Sequence, residues 1–150
     1  MLQTYPQFDR PLVILHVDDD PMNLRVVEEI LGAFQHRSVK AISGSQALEH
    51  LATQPFDLVL MDIHMPGMSG IEAVERLRAR TGPERDTPVI ALTADVFSRR
   101  PDEYEALGFS DFVSKPILVS ALLHAMKRAV DLPQSSAAVS RGLAAHPPGR

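Results

Sequence analysis

The sequence predicts an α/β fold, a doubly wound parallel sheet of five strands with helices on both faces. Five short apolar runs recur along the chain, and the unbroken one at 12–17 lacks the polar alternation of a half-exposed strand, as expected for a strand covered on both sides. Each run is followed by a segment whose apolar residues recur at helical steps, and the spacings suit right-handed crossovers. The scale agrees: 150 residues with 45% hydrophobic and 23% charged content make one ordinary domain. At this length a compact chain buries roughly 68–70% of its unfolded surface and needs no staples.

The elements follow in order. LVILHV (12–17) is an unbroken apolar strand that stops at three aspartates, Asp18, Asp19 and Asp20. Asp20 suits a helix cap and Pro21 the first helical position. Leu24, Val27, Leu31 and Phe34 then stripe a helix. A weaker strand, SVKAI (38–42), precedes a helix with Ala47, Leu48, Leu51 and Ala52 on one side. DLVLMDI (57–63) is another buried-type strand; the turn-rich MPGMSG follows, then a helix with Ile71, Val74 and Leu77 inward. PVIALT (88–93) is the fourth strand. Pro101 opens a short helix that ends at Gly108, a good left-handed cap. FSDFV (109–113) is the last strand, and Leu118, Leu122, Ala125, Met126 and Ala129 stripe the last helix. The domain is therefore expected over 12–130, with an N-terminal extension at 1–11. At 131–150, Pro, Ala, Ser or Gly fill twelve of twenty positions with no apolar period, which predicts a disordered tail.

Composition excludes several classes of function. With no cysteine, disulfides, thiolate metal sites and cysteine nucleophiles are ruled out. A net charge of -4 argues against coating a nucleic acid, which needs clustered Lys and Arg. No apolar run approaches the roughly 18 residues that span a bilayer, so no membrane role is expected. The opening MLQTYPQFDRP has neither the basic start nor the apolar stretch of a secretion signal, and a cytoplasmic location is expected. There is no GxxxxGK[ST] loop and no GxGxxG turn for a nucleotide.

In an open parallel sheet, ligands bind beyond the carboxyl ends of the strands, where strand order reverses. Asp18 and Asp19 stand at the end of strand one, Asp62 at strand three, Thr93 at strand four, and Lys115 and Pro116 after strand five. Carboxylates brought together this way repel unless a cation compensates. A hard divalent ion is the simplest compensation, since Mg²⁺ takes one or two carboxylates, waters and a phosphate oxygen. Each residue also has a plainer reading. Asp20 is a cap, Thr93 a β-favouring strand residue and Lys115 a surface lysine. Asp62, a carboxylate inside the apolar run LVLMDI, is hardest to explain that way, because burying a lone carboxylate is expensive.

HVDDDP, MDIHMPGMSG, LTA and SKPI, in this order and spacing, resemble the receiver domain of two-component response regulators. The resemblance spans Leu12 to Val130, and the run from Asp62 to Gly70 is its most specific part. It implies a flavodoxin-like sheet of order 2-1-3-4-5, an order that general fold principles already give for a receiver protein. It further implies that Asp62 accepts a phosphoryl group from a phosphohistidine on a sensor histidine kinase or a histidine phosphotransfer protein. Asp18, Asp19, Asp62 and the His64 backbone carbonyl would hold Mg²⁺, with Mn²⁺ as an alternative. Lys115, Thr93 and Ala94 would contact the phosphoryl group, and the Lys115–Pro116 peptide would be cis. Thr93 and Phe112 would form the switch, and the face of helix four, strand five and helix five would meet a downstream protein. Phe112 reads equally well as a packed strand aromatic.

His64 and Asp95 flank Asp62 and Thr93 at positions where this family tunes aspartyl-phosphate lifetime, and an altered lifetime is expected. His16 reads as a satisfied core histidine, while His36, His50, His124 and His146 form no recognised metal spacing. The chemistry expected is self-catalysed phosphoryl transfer and hydrolysis only. The enzyme alternative is a haloacid-dehalogenase-like phosphatase with Asp18 as nucleophile. Against it, Met22 stands where that family has Thr or Val, and no cap insert is present. A third alternative is a degenerate receiver that only docks, which the full set of phosphorylation residues disfavours. The 11 residues before the domain and the 20 after it hold no output domain, so a single-domain regulator, rather than a section of a hybrid kinase, is expected.

Overall fold

The computed structural model describes residues 5–95 and 97–131. The expected tail beyond Asp131, with His146 in it, lies outside the described residues. The chain alternates strand and helix throughout: β1 (Val13–Val17), α1 (Pro21–Ala33), β2 (Arg37–Ala41), α2 (Gly44–Thr53), β3 (Leu58–Asp62), α3 (Gly70–Arg78), β4 (Val89–Thr93), α4 (Pro101–Ala106), β5 (Asp111–Ser114) and α5 (Val119–Asp131). All strand pairs are parallel, and the sheet order is β2-β1-β3-β4-β5.

Successive strand residues point to opposite faces, so each apolar strand feeds two cores. Leu15, Val17, Val59, Met61, Val89 and Ala91 pack with Leu48, Leu51, Val74, Leu77 and Tyr104 of α2, α3 and α4. Ile14, Leu58, Leu60, Ile90, Leu92 and Val113 pack with Val27, Leu31, Leu122, Leu123 and Met126 of α1 and α5. The central strands β3 and β4 are buried along their whole length. At the edge, β2 leaves Arg37 and Lys40 exposed, which accounts for its weak signal.

Helix ends follow local chemistry. The Asp20 side chain accepts the Met22 N–H at the start of α1, ahead of Pro21. Ser69 and Glu72 form a reciprocal capping box at α3. Gly108, at φ 105°, ends the α4 segment, and the Phe109 N–H turns back to the Tyr104 carbonyl. That turn keeps Phe109 and Ser110 out of β5, which begins at Asp111 rather than at 109. Leu118 precedes α5 and is 64% exposed, so the apolar stripe starts only at Leu122. Ala52 is exposed in the last turn of α2, and Phe34 and Ile71 are half-buried. No described helix is long and apolar enough to cross a membrane.

Candidate functional site

The strand ends deliver the expected groups to one place. Asp62 is the last residue of β3 and Thr93 the last of β4; Asp18 directly follows β1, and Lys115 directly follows β5. The Asp18 N–H donates to the Ala41 carbonyl and the Lys115 N–H to the Thr93 carbonyl, so both residues continue the ladders of the sheet. Asp18, Asp62 and Thr93 are buried, whereas Asp19 is exposed. A carboxylate oxygen from each of Asp18, Asp19 and Asp62 lies within 4.8 Å of the others. They line an open pocket of about 290 Å³ together with Asp20, Asn23, His64, Ala94 and Lys115.

Lys115 sits between the two buried acids, its Nζ 3.1 Å from Asp62 Oδ1 and 3.3 Å from Asp18 Oδ2. Asp18 is held further by the Asp20 N–H at 2.9 Å and by Asn23 Nδ2 at 3.2 Å. The His64 N–H donates to Asp62 Oδ1 at 3.3 Å. Burial pushes the Asp62 carboxyl above the usual aspartate range; Lys115 pulls it down, and Asp18 pushes it up again. Burial also opposes the Lys115 ammonium, but Asp62 and Asp18 outweigh it and hold that group above its ordinary value. The arrangement is one ammonium shared by carboxylates that outnumber it, a donor set suited to a hard cation.

The remaining expected residues fall around this centre. Thr93 Oγ1 accepts the Asp95 N–H at 3.0 Å, so the hydroxyl is turned to its own loop. The Lys115–Pro116 peptide is cis. His64 and Ala94 are exposed and line the pocket, and Asp95 is exposed two residues beyond Thr93. Phe112 is half-buried and stacked on Tyr104 of α4, ring centres 4.9 Å apart and planes 16° from parallel. Phe112 is thus a packed strand aromatic on the face of the sheet that carries Ala91 and Tyr104.

Two findings depart from the sequence reading. Asn23 is absent from the residues the sequence singles out, yet its amide reaches Asp18 from the first turn of α1; its place two residues after Pro21 is the one local signal for it. His16 is 1% exposed, yet neither ring nitrogen has a hydrogen-bond partner. It is not the satisfied core histidine expected: of the residues opposite it in the sheet, Leu60 has no polar side-chain atom and the Lys40 ammonium is engaged by Glu28. Burial lowers its pKa to about 4, with Asp18 raising and Lys115 lowering it. For the phosphatase alternative, Asp18 is poorly placed as nucleophile: both its oxygens are taken by Asp20, Asn23 and Lys115.

Comparison with known proteins agrees with the geometry. The sequence model of the response regulator receiver domain matches residues 14–127. The signal transduction histidine-protein kinase BarA of Shigella flexneri is 39% identical over 106 residues, 71% of this chain but 11% of that protein. The sensor histidine kinase GacS of Pseudomonas protegens is 35% identical over 69% of this chain and 12% of its own length. The chain thus spans only a small part of these kinases. Among solved structures, the receiver domain of the sensor histidine kinase PA1611 from Pseudomonas aeruginosa, with magnesium coordinated in its active-site cleft, superposes with TM-score 0.72 at 30% identity, covering 80% of this chain and 98% of that one. The chemotaxis protein CheY4 of Vibrio cholerae gives TM-score 0.71 at 26% identity, over 79% of this chain and 98% of its own. Fold, acid cluster and sequence agree, and the chain belongs to the response regulator receiver domain family.

Proposed function

We propose that the chain accepts a phosphoryl group on Asp62 from a phosphohistidine of a sensor histidine kinase or histidine phosphotransfer protein, and signals by protein contact or by passing the group on. The observation that carries this reading is the Asp62 carboxylate at the end of β3, inside an acid cluster and held by Lys115 at 3.1 Å. Lys115 and the His64 N–H both engage Oδ1, which leaves Oδ2 as the attacking oxygen. In the transfer, an Asp62 oxygen bonds to phosphorus as the phosphorus–nitrogen bond breaks, and the imidazole nitrogen keeps the electron pair. The transition state is loose, so positioning and charge neutralisation supply most of the catalysis.

Asp18, Asp19, Asp62 and the His64 carbonyl are the residues that would hold Mg²⁺, or Mn²⁺, whose contribution is to neutralise charge on the phosphoryl oxygens. Lys115 is placed to follow the new charge from the Asp62 carboxylate to the phosphoryl group. Ala94, small and exposed at the rim, leaves that group room. Thr93 would exchange the Asp95 N–H for a phosphoryl oxygen, since phosphorylation adds about -1.5 to -2 charges and strong acceptors. The space it vacates is open to Phe112, whose movement would unstack Tyr104 and reach the α4, β5 and α5 face, where a downstream protein would dock. His64 and Asp95 flank the group and would set its lifetime.

The test is incubation with acetyl phosphate and Mg²⁺ followed by intact mass, on the wild type and on Asp62→Asn. One phosphoryl group on the wild type and none on the variant is the expected result. An unmodified wild type, or equal labelling of both, sinks the assignment.

A further inference from the structure

The sequence reading sets 1–11 apart from the domain, but residues 5–11 lie against it at the end of the sheet opposite the acid pocket. The Tyr5 ring meets Phe34 edge-on at 5.1 Å, and Phe8 meets His36 edge-on at 4.7 Å. Lys127 of α5 lies over the Phe8 ring, 5.6 Å from its centre. Arg10 grips Asp57, just before β3, through two nitrogens at 2.6 and 3.1 Å, and the same carboxylate accepts the Val13 N–H at 2.8 Å. This one short segment therefore touches the end of α1, the turn into β2, the approach to β3 and the last turns of α5.

At its centre is His36, 5% exposed. The Leu12 N–H donates to His36 Nδ1 at 3.0 Å, so Nδ1 carries the lone pair and Nε2 the hydrogen. Nε2 is buried without a partner. A proton on Nδ1 would set two N–H groups against each other at Leu12 and leave a buried charge. We infer that residues 5–11 form a clasp holding α5 to the amino-terminal end of the sheet, and that protonation of His36 opens it.

The charged groups around the ring do not relieve that charge. Asp57 favours the imidazolium, but Arg10 already occupies its carboxylate. Lys127 on Phe8 and Arg37, next in β2, are both cations and offer the imidazolium no compensation. Burial accordingly holds the His36 pKa below its ordinary value, against the pull of Asp57. The folded chain then binds fewer protons than the unfolded one, so the clasp is intact above the ordinary histidine pKa and weakens as pH falls below it. Asp57 acts in the same direction but in a lower window: its carboxyl is held below its ordinary value, chiefly by the Arg10 hydrogen bond, so its contribution to the clasp is lost only as pH falls below the ordinary aspartate range.

The experiment is amide hydrogen exchange on the full chain, as protection factors corrected for intrinsic rates. If opening restores an ordinary histidine pKa near 6.5, protection of the Leu12 amide falls between about pH 7.5 and about pH 5.5, by at most about tenfold, and the last turns of α5 fall with it. His36→Asn keeps an acceptor oxygen for the Leu12 N–H but takes up no proton, and its protection should hold across that range. Unchanged protection in the wild type, or an equal loss in the variant, overturns the clasp. Should the variant fail to fold, ¹⁵N shifts of the wild-type ring decide. An Nε2–H tautomer whose titration midpoint lies below the ordinary value and tracks the Leu12 loss supports the inference; a midpoint at or above that value refutes it. None of these readouts involves phosphoryl transfer, so they stand apart from the test of Asp62.

Discussion

Burial and Asp18 both oppose the Asp62 charge, and Lys115 offsets only part of that cost. Because its folded pKa is raised, the folded chain binds more protons than the unfolded one just above the ordinary aspartate value, and stability falls as pH rises through the folded pKa. Asp62→Asn should therefore stabilise the domain at neutral pH by about 1 kcal/mol, the usual scale of a point substitution. The gain should vanish below the ordinary pKa of about 3.9, where the wild-type carboxyl is neutral in both states. Urea midpoints at the two pH values measure this, and a gain independent of pH counts against the charge argument. That Asp62 stands out in sequence has the same origin, since a carboxylate in an unbroken apolar strand demands compensation. His16 stood out less, because an imidazole in such a strand is an ordinary neutral residue until its neighbours are known. Its two orphaned nitrogens depend on what α1, α5 and the flanking strands place around it, and no local pattern encodes that.

Between elements, the site depends on α3 approaching the end of β3 closely. The Gly70 N–H donates to the Ile63 carbonyl at 2.9 Å, and a Cβ on Gly70 would collide with the Asp62 backbone carbonyl. Gly70→Ala should cost about 1–3 kcal/mol through overpacking and reduce phosphoryl uptake by displacing Asp62. Gly32→Ala, with nothing within 4 Å of the added carbon, is the control and should do neither. Thermal melts and intact-mass labelling check both variants, and an unaltered Gly70→Ala protein would show that the close approach has no role. Helical stripes made the elements legible, but not where each stripe ends. Leu118 and Ala52 keep the period, yet one precedes the first turn of α5 and the other faces out from the last turn of α2. Arg78 was illegible for a different reason: its guanidinium bonds the carbonyls of Gly108, Arg85 and Thr87. It thus ties the end of α3 to the turn before β5, a role set by tertiary folding alone.

At the scale of the molecule, both cores are built on one sheet and share β1, β3, β4 and β5, and the same sheet presents the acid cluster. A cation held by Asp18, Asp19 and Asp62 would favour the folded chain alone and would stabilise it by mass action, about 2.7 kcal/mol at a hundred times the dissociation constant. Because one sheet joins the two cores, that stabilisation should reach both together. The two tyrosines report on opposite sides: Tyr104 is packed between the sheet and α4, and Tyr5 lies against Phe34 at the end of α1. Tyr5→Phe and Tyr104→Phe each leave one fluorophore, so unfolding can be followed on either side separately. Saturating Mg²⁺ should raise both midpoints equally, and a chelator should return both to their starting values. The double variant Asp18→Asn, Asp19→Asn should show no response. A midpoint indifferent to Mg²⁺, or a response that survives the double variant, would remove the metal from these residues. A shift on one side only would mean that the two cores unfold apart.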